Sequence, residues 1–156
     1  MTRTLIVLAV LALLFVAARL AIPRLSSSVA RGPVDDGAAG RRLADCPDSP
    51  NCQGSDASRE GQRVPPLPMR GTPEETMTAL AGLIDARPEA TIVERGQHYL
   101  HATFTSRLMG YVDDVEFLVD EASGSVRVRS ASRLGRSDLG ANARRLAALR
   151  EAWERV

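Results

Sequence analysis

The sequence predicts an α+β domain in which a four-stranded antiparallel sheet carries helices on one face, in the order α-β-β-β-β-α. Three observations predict it: a helix-start motif at residues 72–75, two hairpins of alternating polar and apolar residues between 91 and 132, and a final apolar helical pattern. An N-terminal hydrophobic helix and an irregular tether precede this domain. The 156 residues suffice for one domain with a tail, which we place at 72–156.

The first residues are apolar enough to indicate a membrane-anchored or exported protein. Arg3 precedes an apolar run of 14 residues, Leu5 to Ala18, and the run reaches 18 residues at Ile22 if Arg19 is tolerated. We therefore interpret 1–22 as a membrane anchor, inserted through residues 4–22, or as a signal segment cleaved after Ala18. The domain is expected on the extracytoplasmic side, or secreted or periplasmic after cleavage.

Basic residues near this segment favour the opposite orientation. Arg3 stands alone before it, whereas Arg19, Arg24 and Arg31 lie at or beyond its far end. We give more weight to the signal-like order of a charged start and an apolar run.

Residues 23–71 are rich in Pro, Gly, Ser, Asp and Arg and show no periodicity, which predicts a tether. Within it, Cys46 and Cys52 close a short loop with two prolines. In an exported protein this spacing favours a disulfide. Free thiols and a metal-binding or redox pair are the alternatives.

The first helix of the domain has a strong start signal. Thr72-Pro73-Glu74-Glu75 fits a capping box, with Thr at the N-cap, Pro at the first helical position and Glu at the third. Its apolar face and its end follow in the sequence: Met77, Leu80, Leu83, Ile84, then Arg87-Pro88.

Two hairpins follow. Gly96-Gln97 is a two-residue turn between strands at 91–95 and 98–105, and the loop 121–124 joins strands at 111–120 and 125–132. Closing the second loop pairs positions 120 with 125, 119 with 126, 117 with 128, 116 with 129 and 113 with 132. One face is then apolar, and an open face carries Tyr99, His101, Thr103, Asp114, Glu116, Arg127 and Arg129.

The last helix has two candidate N-caps, Ser137 and Asn142. Its predicted apolar face consists of Leu139, Leu146, Leu149 and Trp153.

The candidate ligand-binding residues combine acids, arginines and small hydroxyls around the second hairpin and the start of the last helix. They are Asp113, Arg129, Ser130, Ser132, Arg133, Ser137 and Asp138. Arginines and hydroxyls before a helix are the ingredients of an anion site. The simpler interpretation is a structural network with Asp113 hydrogen-bonded to Ser132, a Glu116–Arg129 cross-strand ion pair, and a polar loop that caps the helix. We expect Asp113, Arg133 and Asp138 to lie close together.

No catalytic motif, phosphate loop or cofactor motif is present in the sequence, so no catalytic residue and no cofactor is assigned. His98 and His101 point to opposite faces of a strand, which argues against a shared metal. A net charge of +1 gives no electrostatic case for nucleic acid. We expect a non-enzymatic binding module for a small anionic or lipid-like envelope ligand. The alternatives are a hydrolase that uses Asp113 with nearby arginines, and a structural domain that docks an envelope protein.

Three sequence blocks resemble one known family. They are CPDSPNC at 46–52, GYVDDVEF at 110–117 and RSASRLGRSDLGAN at 129–142. Together they are similar to the domain-of-unknown-function family numbered 1499, over roughly residues 44–151. Members often follow a membrane segment, and the resemblance implies no activity. The chain departs from the family pattern at Arg136, at Gln53-Gly54 and at Ala141.

Overall fold

The N-terminal segment is a single long helix in a computed structural model that describes residues 2–35, 37 and 40–156. Met1, Asp36, Ala38 and Ala39, which fall in the predicted anchor and tether, lie outside the described residues. Helix α1 spans Thr2–Leu25 and includes Pro23. Its portion Arg3–Leu25 has a mean hydropathy of 2.9 and is long and apolar enough to cross a membrane. A signal sequence meets the same criteria.

The main sheet has six strands, so the prediction of four was wrong. The predicted strands are β5 (Ala90–Arg95), β6 (Tyr99–Thr105), β7 (Val112–Asp120) and β8 (Ser125–Ser132). The predicted tether adds β3 (Cys52–Gly54) and β4 (Leu67–Pro68), both antiparallel to the outer edge of β8. Strands of two and three residues are too short for an alternating pattern to predict them. A separate ribbon pairs β1 (Val34–Asp35) with β2 (Arg41–Arg42).

The predicted register of the second hairpin is confirmed. Glu116 lies opposite Arg129, Phe117 opposite Val128, and the other predicted pairs match as well. The turn of the first hairpin lies one residue later than predicted, because Arg95 pairs with Leu100 instead of His98 and the Gly96 N–H donates to the Tyr99 carbonyl. Gln97 and His98 therefore form the turn. A β-bulge between Ile92 and Glu94 shifts the register of this hairpin.

Helix α2 (Pro73–Asp85) begins with the predicted capping box. The Thr72 hydroxyl accepts from the Glu75 N–H, and the Glu75 carboxylate accepts from the Thr72 N–H.

Helix α3 (Ala141–Glu154) begins differently from the prediction. Its N-cap is Gly140, and neither Ser137 nor Asn142 takes that position. Asp138 supplies the missing acceptor, since its carboxylate binds the N–H groups of Gly140 and Asn142. Leu139 is 85% exposed with φ of +53°, so it does not belong to the apolar face as expected.

Both helices pack on one face of the sheet, as predicted. The main core joins α2, α3 and the inward residues of strands β4 and β6–β8: Leu67, Met77, Leu80, Ala81, Ile84, Leu100, Ala102, Phe104, Val115, Phe117, Val119, Val126, Val128, Leu146, Leu149 and Trp153.

The opposite face is not open, in contrast to the prediction. Residues 26–35 and 40–44, which we call the covering segment, lie over it. Leu43 packs with Tyr99 and Leu118 in a second small core, and Asp114, Glu116 and Arg129 are all buried. Five of the seven residues predicted for this face are therefore interior residues, whereas Thr103 and Arg127 are partly exposed.

Candidate functional site

Glu116 is the centre of the first buried network on the covered face. Its carboxylate is 0% exposed and accepts from the Arg129 guanidinium at 2.8 Å and from the Tyr99 hydroxyl at 2.8 Å. The covering segment adds the backbone N–H groups of Arg31 and Gly32 at 3.2 and 3.1 Å. The predicted Glu116–Arg129 ion pair is confirmed, in a buried setting.

Asp114 is the centre of the second network. Arg133 binds it with two nitrogens, at 3.0 and 2.8 Å, and His101 Nε2 lies 2.7 Å from the same carboxylate. The Val29 N–H of the covering segment donates to it at 2.7 Å. Both acids of this face are thus held jointly by the sheet and the covering segment.

The protonation states follow from these contacts. Burial alone would raise the pKa of Asp114, but hydrogen bonds from His101, Arg133 and Val29 outweigh it and hold that pKa well below its ordinary value. Burial, together with the neighbouring Glu116 carboxylate, raises the pKa of Tyr99 far above its ordinary value. Asp114 is therefore a charged acceptor and Tyr99 a neutral donor at physiological pH.

A third network lies on the other face of the sheet and connects β8 to α3. Asn142 is fully buried, and its amide nitrogen donates to the Asn51 carbonyl, to Ser132 Oγ and to Asp138. Its amide oxygen accepts from Ser130 Oγ and from Arg145, each at 2.5 Å.

Arg145 extends this network to Asp113. One guanidinium nitrogen lies 2.5 Å from the Asp113 carboxylate, and another binds Ser130 Oγ at 2.9 Å. The guanidinium also lies over the Phe104 ring, 4.9 Å from its centroid. Arg145 is thus fixed on several sides.

The seven predicted ligand-binding residues divide into three places. Asp113, Ser130, Ser132 and Asp138 come together around Asn142 and Arg145. Arg129 and Arg133 lie on the opposite face beneath the covering segment. Ser137 is exposed, and its hydroxyl accepts from the Leu139 N–H. The expected Asp113–Arg133–Asp138 cluster does not form, because Arg133 binds Asp114.

An arginine cavity of about 540 Å³ opens beside the start of α3. We use this name for the space lined by Arg87, Arg107, Arg144 and Arg145 together with Glu89, Phe104, Thr105, Ser106, Ala141 and Ala148. Arg145 joins the cavity to the Asn142 network behind it. None of the sequence patterns predicted this cavity, since its arginines come from three separate segments of the chain.

Sequence reasoning also missed Arg145 as a site residue. A signal for it was present: Arg145 is three residues after Asn142 and next to Leu146, so a helix places it beside the buried face.

Within residues 2–35, 37 and 40–156, no group of three or more His, Cys, Asp or Glu side chains is placed to hold a metal ion. Cys46 and Cys52 form a disulfide, as the sequence predicted.

The fold and the site define an α+β domain that follows an apolar helix and whose polar sheet face is closed by its own N-terminal segment. The chain belongs to a family described as "Protein of unknown function (DUF1499)", whose model matches residues 42–153. The resemblance drawn from the three sequence blocks is thereby confirmed. No curated protein and no solved structure matches the chain.

Proposed function

We propose that this protein is a non-enzymatic binding module that holds a small anionic ligand in the arginine cavity. The cavity's charge carries the proposal. Four arginines and one acid, Glu89, line it, and only Arg145 has a carboxylate partner of its own among the described residues. Guanidinium groups match phosphate and carboxylate oxygens in geometry and charge.

The other three arginines are available to a ligand. Arg144 donates to the Leu139 carbonyl at 2.9 Å and Arg87 to the Ala148 carbonyl at 3.4 Å, which leaves both positive charges unbalanced. Arg107 is exposed and makes no hydrogen bond or ion pair to any described residue. A multivalent anion is the natural counter-charge for such a group.

Arg145 supplies a rigid back wall to the cavity. Its contacts with Asp113, Ser130, Asn142 and the Phe104 ring fix the guanidinium before any ligand arrives, which reduces the entropy lost on binding. Of the residues predicted from the sequence, Asp113 and Ser130 therefore act as supports of Arg145.

The hydrolase alternative has less support. Asp113 is 7% exposed and bound by Arg145, so its carboxylate is poorly placed to activate water. Arg133, its expected partner, faces the other way. A docking role for an envelope protein has no specific contact in its favour.

We place the domain outside the cytoplasm, tethered by α1. The Cys46–Cys52 disulfide is typical of oxidising compartments, and α1 is a sufficient membrane anchor by length and hydropathy. The ligand is then an anionic component of the envelope.

Isothermal titration of the full chain in detergent with glycerol phosphate tests the proposal. Arg144→Gln should weaken binding roughly 10- to 150-fold, because a hydrogen bond to a charged group contributes roughly 1.5–3 kcal/mol. Arg155→Gln is the matched control: it directly follows α3, is exposed, and pairs with Glu151 away from the cavity. No binding by the parent chain, or equal losses in both variants, would contradict the proposal.

A further inference from the structure

Most exposed large apolar side chains of the domain lie at one end of the sheet. After α1, the described residues include six of them: Val93, Leu108, Tyr111, Leu134, Leu139 and Val156. Four of the six belong to two loops, 106–111 and 133–140, which we call the end loops. Leu108 is 71% exposed and Leu139 is 85% exposed. Such a concentration of exposed apolar side chains at one place marks a contact surface.

The sheet topology brings the end loops together. The last residue of β6, Thr105, pairs with Val112 at the start of β7. The last residue of β8, Ser132, pairs with the next residue of β7, Asp113. Since the strands are antiparallel, both loops leave the same end of the sheet.

Helix α1 meets the domain at this same end. A Cβ on Gly110 would collide with the Arg19 side chain and lie 3.3 Å from the Arg19 carbonyl. Arg133, in the second loop, approaches the Ser26 carbonyl at 3.5 Å. Residues 3–17 of α1 are exposed, while residues 18, 19 and 21–23 are partly covered.

The chain between α1 and the sheet is too short to hold the domain away from a membrane. α1 ends at Leu25, and the Val29 N–H is already bound to buried Asp114. Four residues reach at most roughly 14 Å. A span of 23 residues is about 35 Å long, against about 30 Å of bilayer hydrocarbon, so its end lies at the interface.

The charge of this end suits an anionic surface. Arg107 and Arg136 stand in the end loops, both exposed and without an ionic partner in the described part of the chain. The carboxylate of the same loops, Asp138, is used to cap α3. Exposed leucines flanked by arginines and a tyrosine are the composition of an interfacial membrane contact.

Backbone strain supports the same interpretation. Leu139 holds φ of +53°, a conformation that disfavours a side chain, and yet the side chain points into solvent. Folding gains no packing from it.

We infer that the end loops rest on the bilayer that α1 enters, with Leu108 and Leu139 inserted at the acyl boundary and Arg107 and Arg136 against anionic headgroups. The inference relies on the proposed tether but not on the arginine cavity; of the four side chains placed at the membrane, Arg107 alone also lines the cavity. It fixes the domain's orientation, with this end of the sheet facing the membrane.

Quenching by lipids that carry bromine on the acyl chains tests this arrangement. The full chain would be reconstituted into mixed phosphatidylcholine and phosphatidylglycerol vesicles as Leu108→Trp or Leu139→Trp. Native Trp153 is fully buried, so it serves as an internal reference. Brominated lipid should remove most of the added emission in both variants. Val93→Trp, exposed on β5 and outside the end loops, should keep its emission.

Two further variants distinguish membrane contact by the end loops from simple tethering by α1 and from ligand binding in the arginine cavity. Leu5→Trp reports whether α1 is inserted in the bilayer. Quenching at this position but not at Leu108→Trp or Leu139→Trp would mean that α1 tethers the domain while the end loops stay off the membrane, which would overturn the inference. Arg136→Gln, outside the arginine cavity, should reduce quenching at Leu139→Trp without changing affinity for glycerol phosphate. Quenching at Val93→Trp equal to that in the end loops would also overturn the inference. So would a lack of quenching at both Leu108→Trp and Leu139→Trp, whether or not Leu5→Trp shows that α1 is inserted.

Discussion

The carboxylate of Glu116 meets the guanidinium of Arg129 at 2.8 Å in the interior of the protein, where the covering segment closes over them. The side chains are 0% and 4% exposed. An ion pair of this kind is costly to break, because the remaining charge stays buried.

Arg129→Ala should therefore lower the free energy of unfolding by roughly 3–5 kcal/mol. Urea unfolding monitored by circular dichroism measures the change. Arg155→Ala, an exposed arginine paired with Glu151, is the control and should change stability by less than about 1 kcal/mol. Similar losses in both variants would contradict a special contribution from burial.

Substitutions of Arg133 test whether the paired nitrogen donors of a guanidinium group stabilise the fold in addition to its charge. It binds Asp114 through two nitrogens, and Asp114 is fully buried. Arg133→Ala should cost about 3 kcal/mol of unfolding free energy, and Arg133→Lys about half of that, because lysine supplies the charge without the paired donors. A fully stable Arg133→Ala protein would argue that this arginine serves a ligand and not the fold.

The low pKa of Asp114 predicts loss of stability in acid. Its folded pKa lies below its unfolded value, so the unfolded chain takes up the proton first as the pH falls. The contribution is fully present above about pH 4 and disappears as the pH falls from there toward the folded pKa. Asp114→Asn should be less stable at neutral pH but show a flatter decline below pH ~4. Thermal melts across this range measure both; an unchanged acid slope would exclude Asp114 as a main cause.

Asn142 should be the most sensitive position at the start of α3. Its side chain bridges Asn51, Ser130, Ser132, Asp138 and Arg145. Asn142→Ala leaves buried donors and acceptors unpaired and should cost roughly 2–4 kcal/mol in denaturant unfolding. Ser137→Ala, exposed in the preceding loop, should stay within about 0.5 kcal/mol. If both variants unfold alike, the network does not carry the stability assigned to it.

Local patterns predicted the features that local physics controls. The capping box at Thr72–Glu75 needs only four consecutive residues, and the β7–β8 register follows from one short loop and strict alternation. The same alternation, continued one residue past Ser132, places Arg133 on the face of Asp114. That pairing was therefore within reach of the sequence, although we expected Arg133 beside Asp113.

The sequence alone thus determined the apolar N-terminal helix, the disulfide, the α+β class and the central hairpin. Only the tertiary structure decided that the polar sheet face is interior. That decision rests on contacts between residues about 85 positions apart, such as Val29 with Asp114, in a segment that has no periodicity of its own. Backbone N–H groups bind those carboxylates, and every non-proline residue carries one, so side-chain identity does not encode the contact. The arginine cavity is likewise a product of topology, since antiparallel pairing and the start of α3 bring its three segments to one end of the sheet.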